Sequence, residues 1–122
     1  MWDKENGNNI YADCELAWTN LSIPVRKFNY KRCGFFPDPV YGREKTLHPT
    51  QKPLPLMHWC LGFTPDVKTV LDPFMGSGTT LLACKQKGIK CVGIEREKDY
   101  CDLAVERLSQ TVLPLFTEAA SQ

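Results

Sequence analysis

Two carboxylates and a glycine-bearing segment are the residues of this 122-residue chain best suited to do chemistry. Asp72 closes the run Thr69-Val70-Leu71 and is followed by Pro73-Phe74-Met75-Gly76-Ser77-Gly78, then Thr79 and Thr80. Glu95 comes 23 residues after Asp72 and closes a second apolar run, Cys91-Val92-Gly93-Ile94. A turn between the end of a strand and the start of a helix leaves backbone N–H groups unpaired at the mouth of the sheet. Small residues there let a ligand come close to the backbone. Gly76 and Gly78 supply that closeness, and Ser77, Thr79 or Thr80 could cap the helix. An acidic residue at the end of the next strand is placed to accept hydrogen bonds from ribose hydroxyls.

The ligand is narrowed by what the segment lacks. A dinucleotide fingerprint needs a third glycine where Leu81 stands, and a phosphate-binding P-loop needs Gly-Lys-Ser/Thr before the helix. An aspartate in the turn repels a pyrophosphate but suits a cationic group. S-adenosylmethionine meets these conditions: it carries a ribose, an amine and a sulfonium, and no phosphate. An ordinary tight turn with a capping aspartate accounts for the same residues, and spacing alone leaves both readings open.

These residues need a scaffold. The pattern predicts a buried strand over 69–72, a helix over 79–87 with Lys85 and Lys87 in its last turn and Gly88 as its cap, and a strand over 91–94 ending at Glu95. A second helix is predicted over 99–108, with Tyr100, Ala104 and Leu108 on one face. Strand, helix, strand, helix in this order is a parallel βαβα unit. Upstream, Pro53 and Pro55 suit a helix's first turn; Leu56, Trp59, Cys60 and Phe63 follow at helical spacing, and Gly62 and Pro65 end it. Residues 33–53 hold four prolines and read as a long irregular connection. Residues 14–19 and 25–31 read as short strands, 1–10 as a polar loop, and 111–122 as a tail without period.

Composition excludes several classes. With 43% hydrophobic and 24% charged residues the chain is neither disordered, collagenous nor a coiled coil. Fifteen basic against 14 acidic side chains leave a net charge of +1, which excludes a globally basic nucleic-acid coat but not a local patch. Such a patch is offered by 26–45, where Arg26, Lys27, Lys31, Arg32, Arg43 and Lys45 face only Asp38 and Glu44, interleaved with Phe28, Tyr30, Phe35, Phe36 and Tyr41. Basic and aromatic groups together suit phosphates and unstacked bases, although a solvated hairpin with core aromatics has the same composition. No apolar run is long enough to span a membrane, and residues 1–20 contain no signal-type apolar stretch, so a cytoplasmic location is expected. None of the six cysteines forms a C-x-x-C pair, which predicts reduced, buried thiols and no metal site.

Three segments carry a family resemblance. They are His48-Pro49-Thr50-Gln51-Lys52-Pro53; Leu71 to Thr80, reading L-D-P-F-M-G-S-G-T-T; and Gly93-Ile94-Glu95 with Tyr100 and Ala104-x-x-Arg107. Together they closely resemble the amino-group DNA methyltransferases, which methylate adenine N6 or cytosine N4. Their order is similar to the circularly permuted class, and residues 2–32 resemble phage-borne members. The match is strong over 48–107 and weaker over 1–47.

The resemblance implies a Rossmann-like, S-adenosylmethionine-dependent α/β fold, here partial, with an incomplete, mostly parallel sheet and flanking helices. It implies that Asp72, Pro73, Phe74, Gly76, Ser77, Gly78 and Thr79 wrap the methionine portion of the cofactor. Glu95 would bind the ribose hydroxyls, and Thr50 and Lys52 would meet the cofactor's carboxylate end. The implied partner is DNA, with adenine N6 as the target, in a restriction-modification setting; RNA or a small molecule is a weaker substrate reading.

Family members carry out transfer at a motif D-P-P-Y, whose oxygen acceptors orient the target amino group and whose ring stacks on the flipped base. No D-P-P-Y occurs in this sequence. Asp38-Pro39-Val40-Tyr41 lacks the second proline, follows a poor strand, and reads as a proline turn. The permuted order places the motif upstream of Trp2, so the catalytic residues stay unassigned and the chain is expected to be a C-terminal portion. It is then either part of an active enzyme or a remnant or cofactor-half that needs a separate D-P-P-Y-bearing polypeptide. The expected division is a partial catalytic and target-recognition region over 1–47, a cofactor-binding unit over 48–110 and a tail over 111–122. Strand 69–72 is expected to have an edge that is bare or covered by the N-terminal strands, which invites self-association or pairing with another chain.

Overall fold

The computed structural model describes residues 1–5, 7, 10, 12–31 and 51–110. They belong to two compact units, Met1–Val67 and Lys68–Gln122. The Asp38–Tyr41 segment, Thr50, most of the basic 26–45 stretch and the tail lie outside the described residues.

Among its described residues the first unit has three two-residue strands, β1 (Trp2–Asp3), β2 (Cys14–Glu15) and β3 (Phe28–Asn29), and the helix α1 (Leu54–Leu61). β1 is central, antiparallel to β2 and parallel to β3. Trp2 is buried and donates its indole N–H to the Tyr30 carbonyl at 3.0 Å. Phe28 stacks on Tyr30 at 5.9 Å and packs on Trp59 at 5.3 Å, and Trp59 meets Phe63 edge-on at 4.7 Å. Edge-on and tilted contacts of this kind satisfy the ring quadrupoles. α1 begins as expected at its prolines: Pro53 is the N-cap and Pro55 sits in the first turn, where a missing N–H costs nothing. Leu54 and Leu56 are its buried residues.

The second unit contains β4 (Thr69–Asp72), α2 (Thr79–Gln86), β5 (Lys90–Gly93) and α3 (Lys98–Ser109). β4 and β5 are parallel, in the register Thr69↔Lys90 through Asp72↔Gly93. This is the βαβα unit expected from the sequence, and over both units the described residues form an α/β partial domain with a small parallel sheet and three helices. Its core is made of small residues: Ala83, Cys84 and Ala104 have almost no exposed surface. Close approach of the layers requires that smallness. At Gly93 a Cβ would meet the Met75 sulfur at 2.3 Å and the Leu81 methyls at 2.9 and 3.0 Å.

Several expectations are corrected. The strands expected over 14–19 and 25–31 shorten to Cys14–Glu15 and Phe28–Asn29, and the loop expected over 1–10 contains β1. Exposed Leu16, Trp18 and Val25 explain the shortening, since these apolar residues have no sheet face to cover. Strand β4 is not buried throughout. Its residues alternate, as do those of β5, leaving Leu71 and Val92 exposed on the face opposite Val70 and Cys91. Among the described residues β4 pairs with β5, and the N-terminal strands pair among themselves. β5 ends at Gly93, so Glu95 lies in the following turn rather than at the strand's last residue. Helix α2 is capped at its start by Gly78 in the left-handed region, not by a hydroxyl, and Gly88, at φ +67°, follows its C-cap Lys87.

The described cysteines Cys14, Cys60, Cys84, Cys91 and Cys101 are free thiols, but against the expectation of buried thiols only Cys84 is buried as a residue, and Cys60 is exposed. Burial pushes the thiol pKa up at Cys60 and Cys84 and, together with the hydrogen bond and charge of neighbouring Cys84, up to about 12 at Cys91. A thiol held neutral in this way is a poor nucleophile. No helix among the described residues is long and apolar enough to cross a membrane.

Candidate functional site

The parallel pairing of β4 and β5 brings the two chemistry-bearing turns side by side at the C-terminal ends of the strands. Two backbone bonds fasten one turn to the other, and a third closes the glycine turn on itself. Ile94 donates its N–H to the Asp72 carbonyl at 2.8 Å, Met75 donates to the Ile94 carbonyl at 3.0 Å, and Gly78 closes the loop onto the Met75 carbonyl at 2.8 Å. The path from 73 to 78 requires two left-handed residues, Gly76 at φ +51° and Gly78 at φ +79°. At Gly78 a side chain would also collide with Ala104, whose Cβ lies 2.9 Å from where a Cβ would stand. Both positions thus need glycine for the backbone path, and Gly78 adds a packing duty against α3 that the turn alone does not reveal.

Glu95 is the best-oriented polar group of the site. Its Oε2 accepts from the Gly76 N–H at 3.0 Å, and its Oε1 accepts from Arg96 N–H at 2.7 Å and Glu97 N–H at 2.9 Å. The carboxylate thus bridges the glycine turn and the loop that leads into α3. Hydrogen bonds from backbone N–H groups to an ionised carboxylate are the stronger, charge-assisted kind. Asp72 is half-buried and turns its Oδ1 onto the Phe74 N–H at 3.0 Å, an Asx-type closure of the turn. The Phe74 ring stands almost wholly in solvent.

Ser77 and Thr79 are buried, and their hydroxyls are turned toward α3 rather than the helix end. The Arg107 guanidinium, itself buried, donates from Nη1 to the Ser77 carbonyl, to Ser77 Oγ at 3.1 Å and to Thr79 Oγ1 at 3.4 Å. That is the reason the expected hydroxyl cap is not used. Arg107 was legible only as part of the resemblance, because helical periodicity singled out Tyr100, Ala104 and Leu108. The signal that could have found it is its position three residues after Ala104, which places both on one helix face.

The structure therefore brings Asp72, Pro73, Phe74, Gly76, Ser77, Gly78, Thr79 and Glu95 together. Lys52 lies in the first unit, where its ammonium pairs with Glu15 at 2.9 Å while Lys4 holds the same carboxylate at 2.9 Å. Thr50 lies outside the described residues. Among the described residues no cluster of histidine, cysteine or carboxylate side chains could hold a metal ion.

Comparison with known proteins gives concordant matches. The N6_N4_Mtase family model, described as a DNA methylase, matches residues 2–106. The type II methyltransferase M.ScaI of Streptomyces caespitosus is 42% identical over 134 aligned residues, covering 95% of this chain and 44% of that protein. The type II methyltransferase M.HindIII of Haemophilus influenzae is 41% identical over 70 residues, 57% of this chain and 23% of that one. Among solved structures, the M1.HpyAVI-SAM complex superposes with a TM-score of 0.50 at 54% identity, over 52% of this chain and 32% of that one. The chain spans less than half the length of these relatives.

Proposed function

Because the chain belongs to the DNA methylase family whose model spans residues 2–106, we propose that its glycine turn and Glu95 bind S-adenosylmethionine, as the cofactor-binding portion of a DNA methyltransferase. The observation that carries this reading is the Glu95 carboxylate, fixed in direction by the N–H groups of Gly76, Arg96 and Glu97. A carboxylate has about four acceptor positions. Acceptors held in this way suit hydroxyl donors such as those of a ribose. The donor set also fits in charge: two carboxylates and a backbone turn accommodate an amine and a sulfonium and disfavour a phosphate.

In this reading Asp72 faces the cationic amine, and Pro73, Phe74, Gly76, Ser77, Gly78 and Thr79 shape the wall around the methionine portion. Thr50 and Lys52 take its carboxylate end, a role for which a lysine serves as a point charge. When bound, the cofactor supplies an electrophilic methyl group for an exocyclic amino nitrogen, adenine N6 in this proposal, on a base flipped out of duplex DNA. What this chain contributes is placement, holding one of two reactants so that the encounter becomes effectively unimolecular. The reaction belongs in the cytoplasm of a bacterium or an infected host cell.

A second reading has a specific observation in its favour. Among the described residues the outer edges of β4 and β5 carry no further strand, and through such an edge this chain would pair, as a cofactor-half, with a separate D-P-P-Y-bearing polypeptide. Radiolabelled methyl transfer to DNA by this chain alone refutes that reading; transfer only on adding the other half supports it.

Calorimetry tests the cofactor site. S-adenosylmethionine is expected to bind with an affinity in the micromolar range or weaker, roughly −8 kcal/mol or less in magnitude. Asp72→Ala or Glu95→Ala should abolish the heat while leaving the folded CD spectrum. Absence of heat with the unaltered chain at millimolar cofactor overturns cofactor binding by this chain.

A further inference from the structure

The floor of the glycine turn is α3, and it supports the turn at two neighbouring points. Ala104 lies beneath Gly78, where a Cβ would come within 2.9 Å of it. One turn further along α3, Arg107 spreads its guanidinium under Ser77 and Thr79. The location is costly on general grounds. A cation beside the start of α2 opposes that helix's dipole, and a buried guanidinium has given up its hydration. The carbonyl of Ser77 and the two hydroxyls are the return for that cost. They belong to buried residues and accept from the guanidinium.

We infer that Arg107 is a positioning residue for the cofactor turn. It fixes the path of residues 76–79 from below, and through them the direction of the Gly76 N–H that Glu95 accepts. Arg107 needs no contact with a ligand for this. Its effect is preorganisation: a turn already held in its binding shape loses less freedom when a ligand arrives. Because the bonds are donated from a single nitrogen, Nη1, an ammonium with three donors replaces them in part, and an apolar chain of similar length replaces none of them.

The test uses the full chain with Arg107→Met, which keeps the apolar stem, and Arg107→Lys, which keeps the charge. The first measurement needs no ligand. In Arg107→Met the amides of residues 76–80 should exchange hydrogen about tenfold faster, the equivalent of losing about 1.4 kcal/mol of local protection, while the β4 and β5 amides keep their wild-type rates. Arg107→Lys should fall between. Turn amides that exchange at the wild-type rate overturn the inference, and so does an acceleration shared equally by β4, α2 and β5, which is the mark of a residue that only stabilises the fold. Should Arg107→Met fail to fold, Arg107→Lys decides by the same criterion. The second measurement rests on the proposed cofactor site: S-adenosylmethionine affinity should fall about tenfold in Arg107→Met and less in Arg107→Lys, as expected for one charge-assisted contact. Unchanged affinity in both variants overturns the link to binding. A wild-type chain that binds no S-adenosylmethionine overturns the proposed function, and the exchange rates still decide the role of Arg107.

Discussion

The second unit, 68–110, holds its functional groups by backbone geometry, whereas the first, 1–67, is held together by side chains. In the second unit the parallel register sets Asp72 beside Gly93, and backbone N–H groups aim the Glu95 carboxylate. Its core residues are alanine, cysteine and glycine, so the layers approach to where a single added methyl has no room. In the first unit each strand is two residues long and contributes few ladder bonds. What joins the elements there is a run of rings, Tyr30, Phe28, Trp59 and Phe63, and the ion pairs Lys27–Asp3, Lys4–Glu15 and Lys52–Glu15. The difference teaches where precision resides. Backbone geometry fixes a group's direction and fails abruptly when a glycine is lost, while side-chain contacts are many, partly exposed and lost by degrees.

The contrast is tested most severely at Gly78. Gly78→Ala puts a Cβ on a residue at φ +79° and into the Ala104 Cβ. The left-handed conformation costs about 1–2 kcal/mol and overpacking a further 1–3 kcal/mol. A loss of about 3 kcal/mol in urea unfolding is expected, together with loss of cofactor binding. A variant within 0.5 kcal/mol of wild type, a margin typical of neutral surface changes, would show that the turn yields and that the contrast is false. Trp59→Ala is the matching change in the first unit. Trp59 is only half-buried, so its removal should cost about 2 kcal/mol, below the 3–5 kcal/mol of a core aromatic. Urea unfolding followed by CD measures it, and a loss as large as that of a fully buried ring would mean the first unit is as tightly specified as the second.

The same contrast explains what the sequence revealed. β4 was readable to its end residues because an apolar run, an aspartate and a glycine-bearing turn coincide there, and each reports the same local geometry. The carboxylate at Glu95 was readable from its distance along the chain, since a crossover helix returns the next strand alongside. Its three backbone donors were not, because they follow from turn conformations that residue types do not specify. The cap was misread for a related reason: Thr79 and Ser77 have the right hydroxyls, but a long-range partner, Arg107, takes them. In the first unit, β1 was missed because two residues carry no period. Its pairing is decided by Trp2, buried against Tyr30, a contact across 28 positions in the chain.

The smallest expected effect lies at Glu15, and its direction is a separate check on the first unit. Burial alone raises the Glu15 pKa, but the hydrogen bonds and charges of Lys4 and Lys52 outweigh it and hold the carboxyl below its ordinary 4.5. A carboxyl depressed in the folded state contributes stability that is present above its unfolded pKa and is lost as pH falls through the folded one. Acidification through that lowered pKa should therefore remove a contribution of no more than about 1 kcal/mol, since the Glu15 side chain is 38% exposed and solvent screens its pairs. Glu15→Gln should be slightly less stable than wild type at pH 7, and the difference should vanish as pH falls through the lowered pKa of Glu15. Raising the salt from 0.1 M to 1 M, which shortens the Debye length from about 10 Å to about 3 Å, should narrow the difference at pH 7. The loss in Gly78→Ala should change with neither pH nor salt, because it comes from a steric clash and a strained φ. If Glu15→Gln is as costly below the lowered pKa of Glu15 as at pH 7, the ion pairs are not what holds Glu15, and the first unit is held there by packing instead.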